Sequence, residues 1–338
     1  MPSQRRRRRN LRRNLRRSMR RRTARRRAGF TLVELLVALA LFGIVAGAII
    51  NLVARQQRFY RGATEMIDTR TQLRQAASVL PTDIRGLSSI SGDISLMTDT
   101  AVQFIGIFGS AIICGRPAGG SPIVYITPPD LARHTLTSWY RPPNKLGDIA
   151  FLFDEKVDTS AVDDDWTANQ IAQAPAPLAG ACAGSPLFDA TLDAGKTGWA
   201  MTLGNGVPTT VKDGAAVRFG RIVRYSVYKS LSDNKWYLGY RNCGSTACNV
   251  AVEPIAGPYR DWTSGGNTNG LGFTYYDSTG ARISPSNNAS DMARIARIDV
   301  NMRGAGTEVK NAASYNAKAG NTVFTDSLTL RIAIRNRN

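Results

Sequence analysis

One carboxylate stands inside an otherwise apolar run. Glu34 lies within Phe30–Ala54, a stretch of about 25 residues whose next charge is Arg55. An ionised acid in hydrocarbon costs about 2.5–3.5 kcal/mol on the insertion scale, so its position implies a cation at the same depth. Cleavage after Gly29 would supply one, because the new amine of Phe30 falls one helical turn from Glu34. In an assembly of parallel helices, the amine of one subunit then neutralises the acid of its neighbour.

The other residue types able to do chemistry are sparse. Four cysteines, an even number, suit an exported chain with disulfides. Cys243 and Cys248 close a short loop, "CGSTAC", and are the expected pair, which leaves Cys114 with Cys182 by elimination. A zinc site is the rival reading, but no C-x-x-C is present and His134 is the only histidine. Any Ser-His-Asp or Cys-His arrangement would also have to use His134, and no G-x-S-x-G, P-loop or G-x-G-x-x-G stretch accompanies it. The expectation is therefore no enzyme and no cofactor. Asp154, Glu155, Asp158, Asp163, Asp164 and Asp165 cluster as calcium ligands can, yet without a turn glycine or alternating ligands, so a solvated acidic loop over 154–165 is expected. The glycine-rich runs 118–122 and 263–272 read as ordinary loops. Trp139, Tyr140, Tyr259 and Trp262 are read as exposed aromatics that could bind a surface, a sugar or nucleic acid, and are expected instead to complete a core or a subunit contact.

The elements that must position Glu34 follow from hydropathy. At about 1.5 Å per residue, Phe30–Ala54 is long enough to cross about 30 Å of hydrocarbon. The "AGA" at Ala46–Ala48 offers a competing reading as an ordinary signal-peptidase site, which would release a free secreted binding protein or enzyme. Glu34 argues against it, since an ordinary signal core has no use for an acid at its head. Beyond the run, Met66, Leu73, Ala77, Leu80, Ile84 and Leu87 form a helical stripe, and Pro81 is expected to end or kink the helix near Leu80. The middle of the chain reads as short β-runs between long loops. The last third alternates with period two and carries turns at Ser232–Asn234 and Asp277–Gly280, an antiparallel meander of at least four strands.

Charge supports a membrane rather than a nucleic-acid partner. The formal net charge is +19, but fifteen of the 44 basic residues are arginines within 1–28, and the rest of the chain carries only about +4. Arginine ahead of an apolar run fits the positive-inside rule. No aromatic residue interleaves these arginines, so a nucleic-acid role is not expected.

The segment "GFTLVELLVALALFGIVAG" resembles the N-terminal signature of type IV prepilins and type II secretion pseudopilins. In that family a membrane peptidase cuts after the glycine and methylates the new N-terminal residue. The resemblance implies cleavage between Gly29 and Phe30, N-methylation of Phe30, and Glu34 as the assembly charge partner. "LRQAASVLPTDIR", the pair "VRYSVYK" and "WYLGYR", and a terminal strand ending in "RN" are most similar to minor pilins of the PilW type. The type II secretion pseudopilin J is a related, usually shorter alternative.

The resemblance implies a pilin-like α+β fold, a long N-terminal helix, half transmembrane and half amphipathic, packed on an antiparallel β-sheet. The expected division is a cleaved basic leader over 1–29, a transmembrane and filament-core helix over 30–54, its amphipathic continuation over 55–90, a loop-rich β insertion over 91–217 and the β-sheet body over 218–338. The implied role is a structural subunit that initiates or caps a type IV pilus or a type II secretion pseudopilus. Implied partners are the prepilin peptidase, other minor pilins, the major pilin and the inner-membrane assembly platform. The implied location is the bacterial inner membrane, single pass, with the body in the periplasm.

Overall fold

The computed structural model describes residues 29–334 except 90, 157–163, 245–246, 264–269 and 311–321. The chain divides into two compact units, Met1–Tyr60 and Arg61–Asn338. In the first, the described residues form the opening of α1, a helix that runs over Leu32–Ile84. Leu, Ala, Ile and Val dominate this part, and large apolar side chains such as Leu36, Phe42, Ile44 and Ile50 are exposed within their unit. A helix apolar all round has no single face to bury, which is the pattern of a membrane span. It is long and apolar enough to cross one.

In the second unit α1 changes character. Thr69, Leu73, Ala76, Leu80 and Ile84 are buried, in steps of four, three, four and four residues. The buried alanine is thus Ala76, whereas Ala77 and Met66 are only half-buried. The helix also continues through Pro81 instead of ending near Leu80. Pro81 lacks one N–H donor, but its carbonyl still accepts from Arg85 N at 3.1 Å, and burial of Ile84 and Leu87 secures the last turn.

The strands are β1 (Ile94–Met97), β2 (Ala101–Gly115), β3 (Ile123–Ile126), β4 (Ser138–Trp139), β5 (Asp148–Asp154), β6 (Asp165–Pro177) and β7 (Trp199–Leu203). They continue as β8 (Ala216–Lys229), β9 (Trp236–Asn242), β10 (Glu253–Tyr259), β11 (Leu271–Tyr276) and β12 (Arg282–Ile283). A short helix α2 (Ala289–Ala293) precedes β13 (Arg297–Lys310) and β14 (Thr322–Ala333). Among the described residues these fourteen strands join one sheet. The class is α+β: a long N-terminal helix, apolar at its start, with a large antiparallel sheet.

Two long strands form the spine of the sheet. β2 pairs antiparallel with β8 from Ala101↔Ser226 to Ile112↔Ala216, with one irregularity between Ile107 and Gly109. At that irregularity β4 crosses so closely that a Cβ on Gly109 would lie 2.7 Å from Trp139 Cβ, which only glycine avoids. The order toward the C-terminus is β8-β9-β10-β13-β11-β12, with β14 on β13. This is not a plain meander, because β13 enters between β10 and β11.

Alternation splits the burial into separate cores. The largest brings α1 (Leu73, Ala76, Leu80, Ile84) against Phe104, Val223, Tyr225, Leu238, Phe273 and Val300. A second fills the sheet around Ile113, Ile126, Leu152, Met201 and Phe219. A third, small one joins Ile149 and Ile222 to Cys243 and Cys248. Polar ties fix α1 to the sheet: Tyr225 Oη donates to Asp83 Oδ2 at 2.6 Å, and Gly257 N donates to Gln72 Oε1 at 3.1 Å.

Candidate functional site

The candidate site is the start of α1. Phe30 is 86% exposed, and Thr31 immediately precedes the first helical residue. Thr31 N donates to Glu34 Oε2 at 3.0 Å, and the Thr31 hydroxyl lies 3.1 Å from the same oxygen. In return, Glu34 N donates to Thr31 Oγ1 at 3.2 Å. This reciprocal pair is a capping box, which satisfies two of the amide donors that a helix start leaves without partners. The carboxylate also sits at the positive end of the helix dipole, where a negative charge is stabilised.

Glu34 therefore does more than wait for an external cation. Within one chain it closes the helix that carries it. Thr31 is the residue that the charge-pair reasoning passed over, although the T-x-x-E spacing of Thr31 and Glu34 spells the cap in the sequence. Gly29 is the first described residue, so residues 1–28 of the basic leader lie outside the described residues.

Residues 24–50 match the prokaryotic N-terminal methylation motif, a type IV pilin-like prepilin signal. No curated protein and no solved structure matches the chain. The motif spans Gly29, Phe30 and Glu34 together, and it supports a protein of the type IV pilin or pseudopilin kind that is processed by a prepilin peptidase.

The remaining candidate residues are structural in their surroundings. Cys114 is bonded to Cys182, and Cys243 to Cys248. His134 is exposed in the loop between β3 and β4. Of the acidic loop, Asp158 and Asp163 lie outside the described residues. Asp154 accepts from Thr210 Oγ1 at 3.0 Å, while Glu155 and Asp165 face Lys212 and Lys156, each at 3.8 Å. Among the described residues no group of three His, Cys, Asp or Glu side chains could hold a metal. The four aromatics differ in setting. Tyr140 is 73% exposed, but Trp139 is half-buried between Trp199 and Phe219, Tyr259 is in the main core, and Trp262 is half-buried 6.1 Å from Trp236.

One polar centre was not expected. Asp148, wholly buried, accepts from Arg141 at 2.6 and 2.8 Å, from Arg221 at 3.2 Å and from Asn144 N at 2.8 Å. Arg221 also donates to the Cys243 carbonyl at 3.0 Å. Asp148 thus ties the segment before β5 to the disulfide loop after β9.

Proposed function

We propose that this chain is a minor pilin or pseudopilin, a structural subunit that helps initiate or cap a type IV pilus and performs no chemistry of its own. The observation that carries the reading is the methylation motif over residues 24–50, set on a helix whose apolar start leads into an amphipathic half that packs on a β-body. In this reading the prepilin peptidase cuts after Gly29 and methylates Phe30. The ammonium of Phe30 on one subunit meets Glu34 on its neighbour, and the helix inserts among other pilins. The body, in the periplasm, makes the contacts that choose neighbouring minor and major pilins and the assembly platform. The PilW-like segments favour a pilus subunit; a type II secretion pseudopilin is the second form of the same proposal.

Glu34→Val tests the assembly step. The variant is expected to insert in the membrane as the parent does, because the substitution removes a charge from hydrocarbon, yet to be depleted at least tenfold from sheared filaments. Recovery in filaments at the parental level would overturn the proposed charge pairing.

A further inference from the structure

The tip of the β8–β9 hairpin carries a combination of residues that the body does not use. The turn is ordered: Ser230 N donates to Lys235 O at 2.9 Å, and Asn234 N donates to Ser230 O at 3.1 Å. Asn234 takes the left-handed conformation, φ 60°, that asparagine tolerates in tight turns. On this ordered turn Leu231 is fully exposed. A single exposed leucine is unremarkable alone, but its surroundings are specific. Trp236 lies 6.1 Å from Trp262, ring to ring, and Lys229 Nζ stands 5.9 Å from the Trp236 ring. Lys235 follows the turn and Arg260 follows β10. The acids of the patch are Asp233, which accepts from Tyr237 Oη at 2.5 Å, and Asp261. Lys229, Lys235 and Arg260 thus outnumber Asp233 and Asp261 in these segments, and Asp233 is occupied by a tyrosine hydroxyl.

The position of this tip within the second unit follows from the contacts of α1. Asp83 meets Tyr225, Gln72 meets Gly257, and Thr69 packs on Gly304. Moving along α1 toward Arg61, each contact lies nearer the Tyr259↔Trp236 end of the β9–β10 pair. The hairpin tip is thus at the end of the unit where the chain enters. Only Arg55–Arg61 separate that entry from Ala54, the last residue of the apolar run. Seven residues reach at most about 25 Å.

We propose that this tip is a lipid-facing foot. While the subunit is held in the bilayer, Leu231 and the Trp236–Trp262 pair enter the headgroup region, and Lys229, Lys235 and Arg260 face the phosphates of anionic lipids. Tryptophan rings are enriched at that depth, and basic side chains are drawn to an anionic surface. The partner is assigned as a bilayer because covalent reach holds this end near one and because the cationic excess complements its charge. A foot of this size binds reversibly, which suits a subunit that must leave the membrane for a filament. The inference rests on the membrane-held reading given above.

The test is tryptophan quenching of the full chain in vesicles of phosphatidylethanolamine and phosphatidylglycerol, with lipids brominated close to the headgroup. Trp139, Trp166 and Trp199 serve as the internal reference. The parent is expected to lose a measurable share of its emission, W236F/W262F to lose none of it to these lipids, and Leu231→Asp to be quenched at least twofold less than the parent. Absence of quenching in the parent, or its persistence in W236F/W262F, overturns the foot. Quenching absent at high lipid-to-protein ratio, with a Trp236 emission shift only when subunits are crowded, reassigns the tip to a second copy and equally overturns it. Flotation of the vesicles after alkaline extraction reads the membrane anchor separately: a chain that floats without quenching refutes the foot alone, whereas a chain left behind refutes the anchor.

Discussion

Asp148, itself fully buried, holds two guanidinium groups whose side chains are only partly exposed, and the value of such a centre lies in its completeness. Removing the acid by Asp148→Ala leaves Arg141 and Arg221 without their shared counter-ion, and loss of one partner of a buried ion pair typically costs about 3–5 kcal/mol. A fall of that size in urea-derived stability, with the spectrum of the folded state retained at low urea, is the expected result. Other acids set the response to pH. Asp193 is lowered to about 2, first by the backbone donors of Asp189 and Ala132, then by Lys196. Asp277 is also lowered to about 2, first by the Thr279 hydroxyl, then by the Ala281 and Thr279 amides and Arg294. Both pKa values lie below the ordinary 3.8, so the folded state binds fewer protons than the unfolded chain. Their stabilisation is present above about pH 4 and is lost as pH falls toward 2. Midpoints of urea unfolding are expected to drop across that window, and Asp277→Asn to flatten the drop. Glu34 stood out at this scale because an acid inside an apolar run has few explanations, and its T-x-x-E spacing with Thr31 spells the cap that the structure shows. Asp148 was not, because Arg221 is distant in sequence and only folding brings it near.

The elements were legible where one local period ruled them. The apolar run and the stripe from Leu73 to Ile84 each specify helix, although Leu87, expected on the same stripe, lies past the helix end, and the alternation in β8, β9, β11 and β14 specifies strand. What the sequence left dark was long-range pairing. β2 meets β8 across about a hundred residues of chain, and β13 slips between β10 and β11, choices made by register and burial rather than by any local period. Two tests address how the elements are joined. Gly304 on β13 lies under Thr69 of α1, where an added Cβ would collide with the threonine methyl. Gly304→Val is expected to destabilise the body by about 1–3 kcal/mol through overpacking, and Thr69→Ala to recover part of the loss. The disulfides differ in loop length, with sequence separations of 68 for Cys114–Cys182 and 5 for Cys243–Cys248. In the loop-entropy account the longer one contributes about 4 kcal/mol and the shorter about 2 kcal/mol. Replacing Cys114 and Cys182 by serine should therefore lower the urea midpoint more than replacing Cys243 and Cys248.

For the whole molecule, a processing signal and a folded body have to serve each other. The methylation motif ends at residue 50, within α1, and the same helix continues to Ile84 in the main core of the second unit. The short motif was readable because arginines, a glycine and one acid stand in fixed order at the head of a long apolar run. The body is less readable, since many sequences fill an antiparallel sheet. What joins the two is the identity of the mature N-terminus. In the proposed reading, a cut after Gly29 retains the whole apolar helix and turns the Phe30 nitrogen into the cation proposed to meet Glu34, whereas a cut after Ala48 would discard both. N-terminal sequencing with mass analysis of the mature chain, recovered from the membrane of cells that express the peptidase, is the most direct measurement. The account predicts a single start at N-methylated Phe30; a start at Ile49, or an N-terminus retained upstream of Gly29, would contradict it.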